Sequence, residues 1–289
     1  MSDAAQRVAI VTGGAGGIGL ETVRGLAAAG MRVIAGCRDV KKGGAAVHGM
    51  GAAVEAWTLD LARLSSVRSF AERALAELPR IDVVVCNGGV WPGGRRKTAD
   101  GFELAFGVNH LAHFALVEQL RERLVATGRD GGARIVVVSS GLHARGTMHW
   151  DDLQLERRYD GTDAYAQSKL ANVLWTLWLA RSFGAPRAGT GVTANACHPG
   201  VVATQLLRHQ PPGTWDRGQR LTPTDGARPS LHLALAPALA GITGRYFHRL
   251  DEKKPAPAAL DRAAQDRLAT ISTALCRLPP APPDPARDG

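Results

Sequence analysis

The chain has 289 residues, 45% hydrophobic and 21% charged, the balance of a soluble globular protein with a sizeable core. No apolar run reaches the roughly 18 residues a membrane span needs, and the opening MSDAAQRVAIVTGG lacks signal-peptide order, so a cytoplasmic location is expected. The formal charge is +9, but the arginines are scattered and the nearest thing to a run is Arg95-Arg96-Lys97; this argues against nucleic-acid binding and suits attraction of a polyanionic cofactor.

Val8–Thr12, without polar alternation, predicts a strand buried on both faces of a parallel sheet. It runs into Thr12-Gly13-Gly14-Ala15-Gly16-Gly17-Ile18-Gly19, and a helix is expected over Ile18–Ala29. Glycines in such a turn permit positive φ and let the backbone approach a pyrophosphate, which the N–H groups and positive end of the following helix then hold. The second expected strand, Arg32–Cys37, leads into Arg38. An NAD-preferring protein tends to carry an acidic residue there for the adenosine ribose; this chain has Cys37, and the Arg38 guanidinium suits a 2′-phosphate. The alternative is a solvated Arg38 paired with Asp39.

Further strands are expected at Val54–Leu59, Val83–Cys86, Arg134–Ser139 and Gly191–Cys197, and helices over Leu64–Leu78, Phe102–Thr127 and Ala164–Phe183. Strands alternating with helices read as repeated βαβ units. The expected fold is α/β: a single-domain Rossmann-type doubly wound parallel sheet with helices on both faces, over residues 1–278. Two irregular segments, about 141–162 and 205–229, follow strands and should rim the crevice at the strands' carboxyl ends. Residues 279–289, mostly Pro, Ala, Asp and Arg, are expected to be a disordered tail.

Tyr165 and Lys169 lie four apart on an expected helix and share a face. A phenol with a pKa of about 10 is a poor acid–base catalyst at neutral pH, and a nearby ammonium lowers that value. Taken alone, the pair reads equally as an amphipathic surface feature. Ser139-Ser140 at the end of a buried strand raises it to a candidate proton-transfer site, since a hydroxyl there can donate to a substrate carbonyl oxygen. Trp91 and Leu142 are candidates to line an apolar substrate pocket beside Ser140 and Tyr165. His110 and His113 have near-helical spacing but no third ligand, and the cysteines Cys37, Cys86, Cys197 and Cys276 show no CxxC spacing, so no metal is expected. Cys276 is placed in the tail, His143 and His149 in a loop where histidines are mostly solvated but which should border the substrate, and Trp175 and Trp178 in core or interface packing.

These residues together resemble the short-chain dehydrogenase/reductase superfamily. The resemblance spans nearly the whole chain: the turn at Thr12–Gly19, Asp60-Leu61, Asn87-Gly88-Gly89, Asn109 in VNHLAHF, Ser140, Tyr165 with Lys169, and His198-Pro199-Gly200. GCRD at 36–39, TADGFELAFGVNHLAHF at 98–114, AYAQSKLANVL at 164–174, CHPGVVAT at 197–204 and the late GRYF at 244–247 with Glu252-Lys253-Lys254 look most like its retinol dehydrogenase-like branch.

The resemblance implies a role for each matching position. Tyr165 would be the general acid or base, Lys169 would lower its pKa and hold the nicotinamide ribose, and Ser140, second of its pair, would orient the carbonyl. Asn109 would hold a water linking Lys169 to solvent. Gly13, Ala15, Gly16, Gly17, Ile18 and Gly19 would hold the phosphates; Asp60 and Leu61 would flank the adenine. Asn87, Gly88 and Gly89 would pack along the cofactor, and Pro199, Gly200, Val202 and Thr204 would bind the carboxamide. Departures are Ala15-Gly16 in place of a polar pair, which shifts NADP(H) selection onto Arg38, Gly88 where alanine is usual, Cys86 where asparagine often stands, and no hydrophobic N-terminal anchor. The function expected is NADP(H)-dependent hydride transfer to or from an apolar carbonyl or alcohol, with double-bond reduction or non-catalytic cofactor sensing as alternatives. The surplus of apolar residues over Phe102–Thr127 and Ala164–Phe183 suggests a homodimer or homotetramer through those helices.

Overall fold

The strands expected from the sequence form the centre of a larger sheet. A computed structural model describes residues 6–51, 53–184, 190–209 and 220–279. In chain order the elements are β1 (Val8–Thr12), α1 (Gly17–Ala28), β2 (Arg32–Cys37), α2 (Val40–Val47), β3 (Val54–Thr58), α3 (Leu64–Glu77) and β4 (Val83–Cys86). There follow α4 (Leu104–Phe106), a π-helical turn (Gly107–Leu111), α5 (Ala112–Gln119), α6 (Arg121–Arg129), β5 (Ala133–Val138), α7 (Gly161–Ser182) and β6 (Val192–His198). The chain continues with α8 (Pro223–Leu235), β7 (Tyr246–His248), β8 (Asp251–Lys253) and α9 (Arg262–Cys276).

The sheet order is β3-β2-β1-β4-β5-β6-β7-β8, parallel throughout except for the final β7–β8 pair. Side chains alternate along β1: Val8 and Ile10 enter one core with α3, α5, α7 and α9, while Ala9 and Val11 enter the other with Val23 and Leu26 of α1 and Leu233 of α8. Burial on both faces is why the strand carries no polar alternation. The chain winds from β1 outward to β3, then crosses back to β4. The direction of winding therefore reverses between β1 and β4, and the crevice at their carboxyl ends is the place for a ligand.

Several expected boundaries are corrected. Strand β3 stops at Thr58, β5 runs Ala133–Val138 with Ser139 just beyond it, and β6 runs to His198. The helix expected over Phe102–Thr127 is interrupted. It starts at Leu104, where the buried Glu103 carboxylate accepts the Ala105 and Phe106 N–H groups at 2.9 and 2.7 Å, widens through the π turn, and breaks again at Leu120. Helix α7 begins earlier than expected because Asp160 caps it, accepting from Thr162 and Asp163 N–H at 2.8 and 2.9 Å. The segment expected to be irregular up to Pro229 contains the start of α8: Thr222 is its N-cap and Pro223 occupies its first turn, where proline is tolerated. Residues 210–219 of that segment, and 280–289 of the expected tail, lie outside the described residues.

Helix α9 also changes two readings. Cys276 is not in a tail but is buried at the end of α9, its thiol donating to the Leu111 carbonyl at 3.5 Å. Leu268 and Ala269 of α9 join Trp175 and Trp178 in one apolar cluster, and Arg181 on α7 pairs with Asp266 at 2.7 Å. The apolar surplus of α5 and α7 is thus covered within the chain. Among the described residues no helix is long and apolar enough to cross a membrane.

Candidate active site

At the crevice the turns after β1 and β4 press backbone to backbone. Gly13 has φ +66°, and a Cβ on it would lie 3.0 Å from the Gly88 Cα. The Thr12 hydroxyl accepts the Asn87 and Gly88 N–H groups, both at 2.9 Å, and Asn87 Nδ2 donates to the Thr12 carbonyl at 2.9 Å. Leu61 packs beside Gly88, where an added Cβ would sit 2.5 Å from its Cδ1. Asp60 is spent on the turn into α3, accepting the Ala62 N–H at 3.0 Å.

Helix α1 has Gly16 at its N-cap, with no side-chain cap and no acidic residue in its first turn. A Cβ on Gly16 would meet nothing within 4 Å. The first helical N–H groups, around Gly17, Ile18 and Gly19, therefore lack side-chain partners beside open space flanked by Ala15, a donor set that fits a pyrophosphate. The segment after β6 crosses over this turn: Gly200 takes φ +92° after buried Pro199, Val202 packs with Ile18 around Gly226, and the Thr204 methyl lies 3.2 Å from where a Gly17 Cβ would be. Arg38 is exposed and has no hydrogen bond or ion pair among the described residues. Asp39 instead caps α2, accepting the Lys42 N–H at 3.1 Å, and pairs with the Lys42 ammonium at 3.7 Å. The alternative Arg38–Asp39 pair is not formed.

Ser140, after β5, Tyr165 and Lys169, both on α7, and Asn109, in the π turn, converge from three elements. Ser139 and Ser140 follow β5 and differ in use: Ser139 donates to the Lys169 carbonyl at 2.8 Å, whereas the Ser140 hydroxyl accepts the Leu142 N–H at 3.2 Å and is near enough to the Tyr165 phenol to pull its pKa down. Burial pushes the Tyr165 phenol up to about 12, outweighing the downward pull of Ser140. The expected lowering by Lys169 does not prevail here, and the phenol is held protonated. Burial brings Lys169 down to about 8; its ammonium donates to the Val138 carbonyl at 2.9 Å and stands 5.6 Å from the Tyr165 ring centroid. Asn109 sits in the π turn and clasps Val90, accepting its N–H at 2.7 Å and donating to its carbonyl at 3.0 Å, with a third bond donated to the Ser168 hydroxyl on α7 at 2.9 Å.

Trp91 stacks on Tyr165, ring centroids 4.4 Å apart and planes 6° from parallel. With Leu142 it forms an apolar cluster around the phenol, joined by Leu206 and Leu207. The last two were not anticipated; a Leu-Leu pair in a segment read as irregular was the available signal. His143 is also corrected: it is buried, with Nδ1 2.7 Å from the Ser140 carbonyl and Nε2 accepting the Ala256 N–H at 3.2 Å, so it ties the Ser140 turn to the segment after β8. His149 pairs with Asp163 at 2.9 Å. His110 and His113 diverge, His110 toward Ser272 on α9 at 2.9 Å and His113 toward Thr12 at 2.8 Å.

The short chain dehydrogenase family profile matches residues 7–214. The chain is 42% identical over 278 residues to retinol dehydrogenase 12 of Homo sapiens, covering 93% of this chain and 86% of that protein. It is 38% identical over 292 residues to retinol dehydrogenase 14 of Mus musculus, covering 93% and 85%. Among solved structures, an uncharacterised protein from Mycobacterium paratuberculosis superposes with a TM-score of 0.78 at 33% identity over 96% of both chains. An NADP active-site complex of RhlG from Pseudomonas aeruginosa superposes at 0.67 with 25% identity, covering 85% of this chain and 95% of the other. With the matching sheet and the site just described, the chain belongs to the short-chain dehydrogenase/reductase family, in its retinol dehydrogenase-like branch, and is an oxidoreductase that works with a nicotinamide cofactor.

Proposed function

We propose that the chain catalyses reversible hydride transfer between NADP(H) and the carbonyl or alcohol of an apolar small molecule, with Tyr165 as general acid and base. The observation that carries this reading is the Tyr165 phenol stacked on Trp91 inside an apolar cluster with Leu142, Leu206 and Leu207, with Ser140 beside it and the Lys169 ammonium 5.6 Å from its ring centroid. When bound, the nicotinamide supplies or accepts the hydride. The residues do the rest. Ser140 donates to the substrate oxygen as charge develops there, Tyr165 delivers its proton to the same oxygen, and the apolar walls exclude water and select an apolar substrate. Lys169 spends one N–H on Val138 and keeps two for the ribose and for stabilising the phenolate left behind. Asn109, bound to Val90 and Ser168, keeps that end of the cofactor cleft beside Lys169.

The choice of NADP(H) rests on Arg38, whose guanidinium is unengaged because Asp39 is committed to α2 and Lys42. The cytoplasmic assignment is supported by four free, buried cysteines, the state of a reducing compartment. Helix α9 packs against the face of α5 and α7 expected to join subunits, and this packing supports a monomer. Purified enzyme should oxidise NADPH with apolar aldehydes or ketones and form the alcohol. Tyr165→Phe keeps the ring against Trp91 and so the fold, and should lose about 10²–10⁴ in turnover. Parental turnover in that variant, with chemistry rate-limiting, defeats the assignment; a product with its carbonyl intact and a reduced C=C bond points to double-bond reduction instead.

A further inference from the structure

His113 on α5 is fully enclosed, 1% exposed, and belongs to no role assigned above. Its Nδ1 lies 3.0 Å from the Asn109 carbonyl and its Nε2 lies 2.8 Å from the Thr12 hydroxyl. A carbonyl only accepts, so Nδ1 must carry the proton. Burial brings the ring down to about 4, and it is neutral at pH 7. Nε2 is then a bare lone pair, and the Thr12 hydroxyl must point its proton at it. The other acceptor in reach of that hydroxyl, the Val85 carbonyl, is farther at 3.3 Å and would leave Nε2 unmatched. With its proton on His113, the Thr12 oxygen is free to accept the Asn87 and Gly88 N–H groups. One arrangement of protons satisfies the whole chain.

The two ends of this chain matter. Thr12 immediately precedes Gly13, where the phosphate-binding turn begins. Asn109 sits in the π turn, where the Ala112 N–H reaches back to Gly107, and its side chain binds Val90 and Ser168 beside Tyr165 and Lys169. Among the described residues, His113 is the single side chain that bonds both Thr12 and Asn109.

We propose that His113 is a positioning residue: as the neutral Nδ1–H imidazole it locks the phosphate-binding turn to the Asn109 bend, holding the cofactor cradle and the Tyr165–Lys169 helix in one register. The effect on turnover rests on the function proposed above, whereas the proton arrangement does not.

The test has two arms on the full chain. In the first, ¹⁵N-histidine labelling and long-range ring couplings assign the tautomer of the resonance that vanishes in His113→Gln. A protonated Nδ1 with a bare Nε2 at neutral pH is expected; an Nε2–H tautomer or an imidazolium overturns the proposal. In the second, His113→Gln, whose amide offers one donor and one acceptor, is compared with His113→Phe, which keeps a ring and offers neither. Losing both buried bonds should lower kcat by about tenfold or more at saturating NADPH in the Phe variant, with the Gln variant recovering most of it. A folded Phe variant with parental kcat, or a folded Gln variant as impaired as Phe, overturns the proposal. Should the Phe variant fail to fold, the tautomer and the Gln variant decide. Should no carbonyl be reduced, the function above fails, while the tautomer and an NADPH titration of both variants still judge His113.

Discussion

Replacing Lys169 by methionine separates what the charge does for chemistry from what it costs the fold. Lys169 is 4% exposed, and burial holds its ammonium at about 8 against an ordinary 10.5. Each tenfold in acidity is worth about 1.4 kcal/mol, so carrying this charge at pH 7 costs the folded chain about 3 kcal/mol relative to the unfolded one. Methionine removes that cost and also the N–H that the Val138 carbonyl accepts at 2.9 Å. Asn172 Nδ2 stands 3.5 Å from the same oxygen and is a weak substitute. Leaving that buried acceptor unpaired costs about 1–3 kcal/mol, so the cofactor-free variant should be about 0–2 kcal/mol more stable than the parent at pH 7. The sign with pH follows from the lowered value. Between about 8 and 10.5 the unfolded chain holds the extra proton, so parent stability gains from this group as pH rises, and the variant's advantage shrinks. Tyrosines and cysteines that ionise in that range do so in both proteins and drop out of the difference. Urea unfolding at about pH 6.5 and about pH 10 measures it, alongside a kinetic assay in which the variant should be inactive. A variant less stable than the parent by the same amount at both pH values would refute the reasoning.

Arg38→Asp should weaken NADPH binding by about 1.5–3 kcal/mol and narrow or reverse the preference over NADH; equal affinities of the parent for the two cofactors, by calorimetry, would remove the basis of NADP(H) selection. Gly89→Ala would place a Cβ 3.2 Å from Asn109 Oδ1 and 3.7 Å from Lys169 Nζ. That methyl should disturb the Val90 clasp and lower kcat by about tenfold while unfolding changes little, as turnover and urea curves together would show. With α9 seated on α7, light scattering at micromolar concentration should report a monomer; a dimer mass would mean that another surface pairs.

Much of this protein is local and could be read from the chain. A strand buried on both faces must be largely apolar, and Val8–Val11 and Val83–Cys86 say so directly. A turn that takes a positive φ and brings backbone against backbone favours glycine, which marked Gly13. Tyr165 and Lys169 share a helical face by spacing alone. Their cap, Asp160, was also visible but was lost inside a segment read as irregular, and α8 was missed because Thr222-Pro223, a cap and a first-turn proline, looks like loop composition.

What the sequence could not decide depends on residues distant in the chain and on burial. Arg38 is available because Asp39 turned to Lys42 instead, a choice between two neighbouring cations that only the start of α2 settles. Helix α9 covers α7, so an apolar surplus that looked like a subunit interface is interior. Burial, not neighbouring charge, sets the proton on Tyr165 and brings Lys169 down. His113 looks like any helical histidine until folding sets Thr12, 101 residues away, beside its ring. Spacing along a chain fixes which side chains share a face; which donor meets which acceptor, and how much water is left to compete, exists only once the elements have packed.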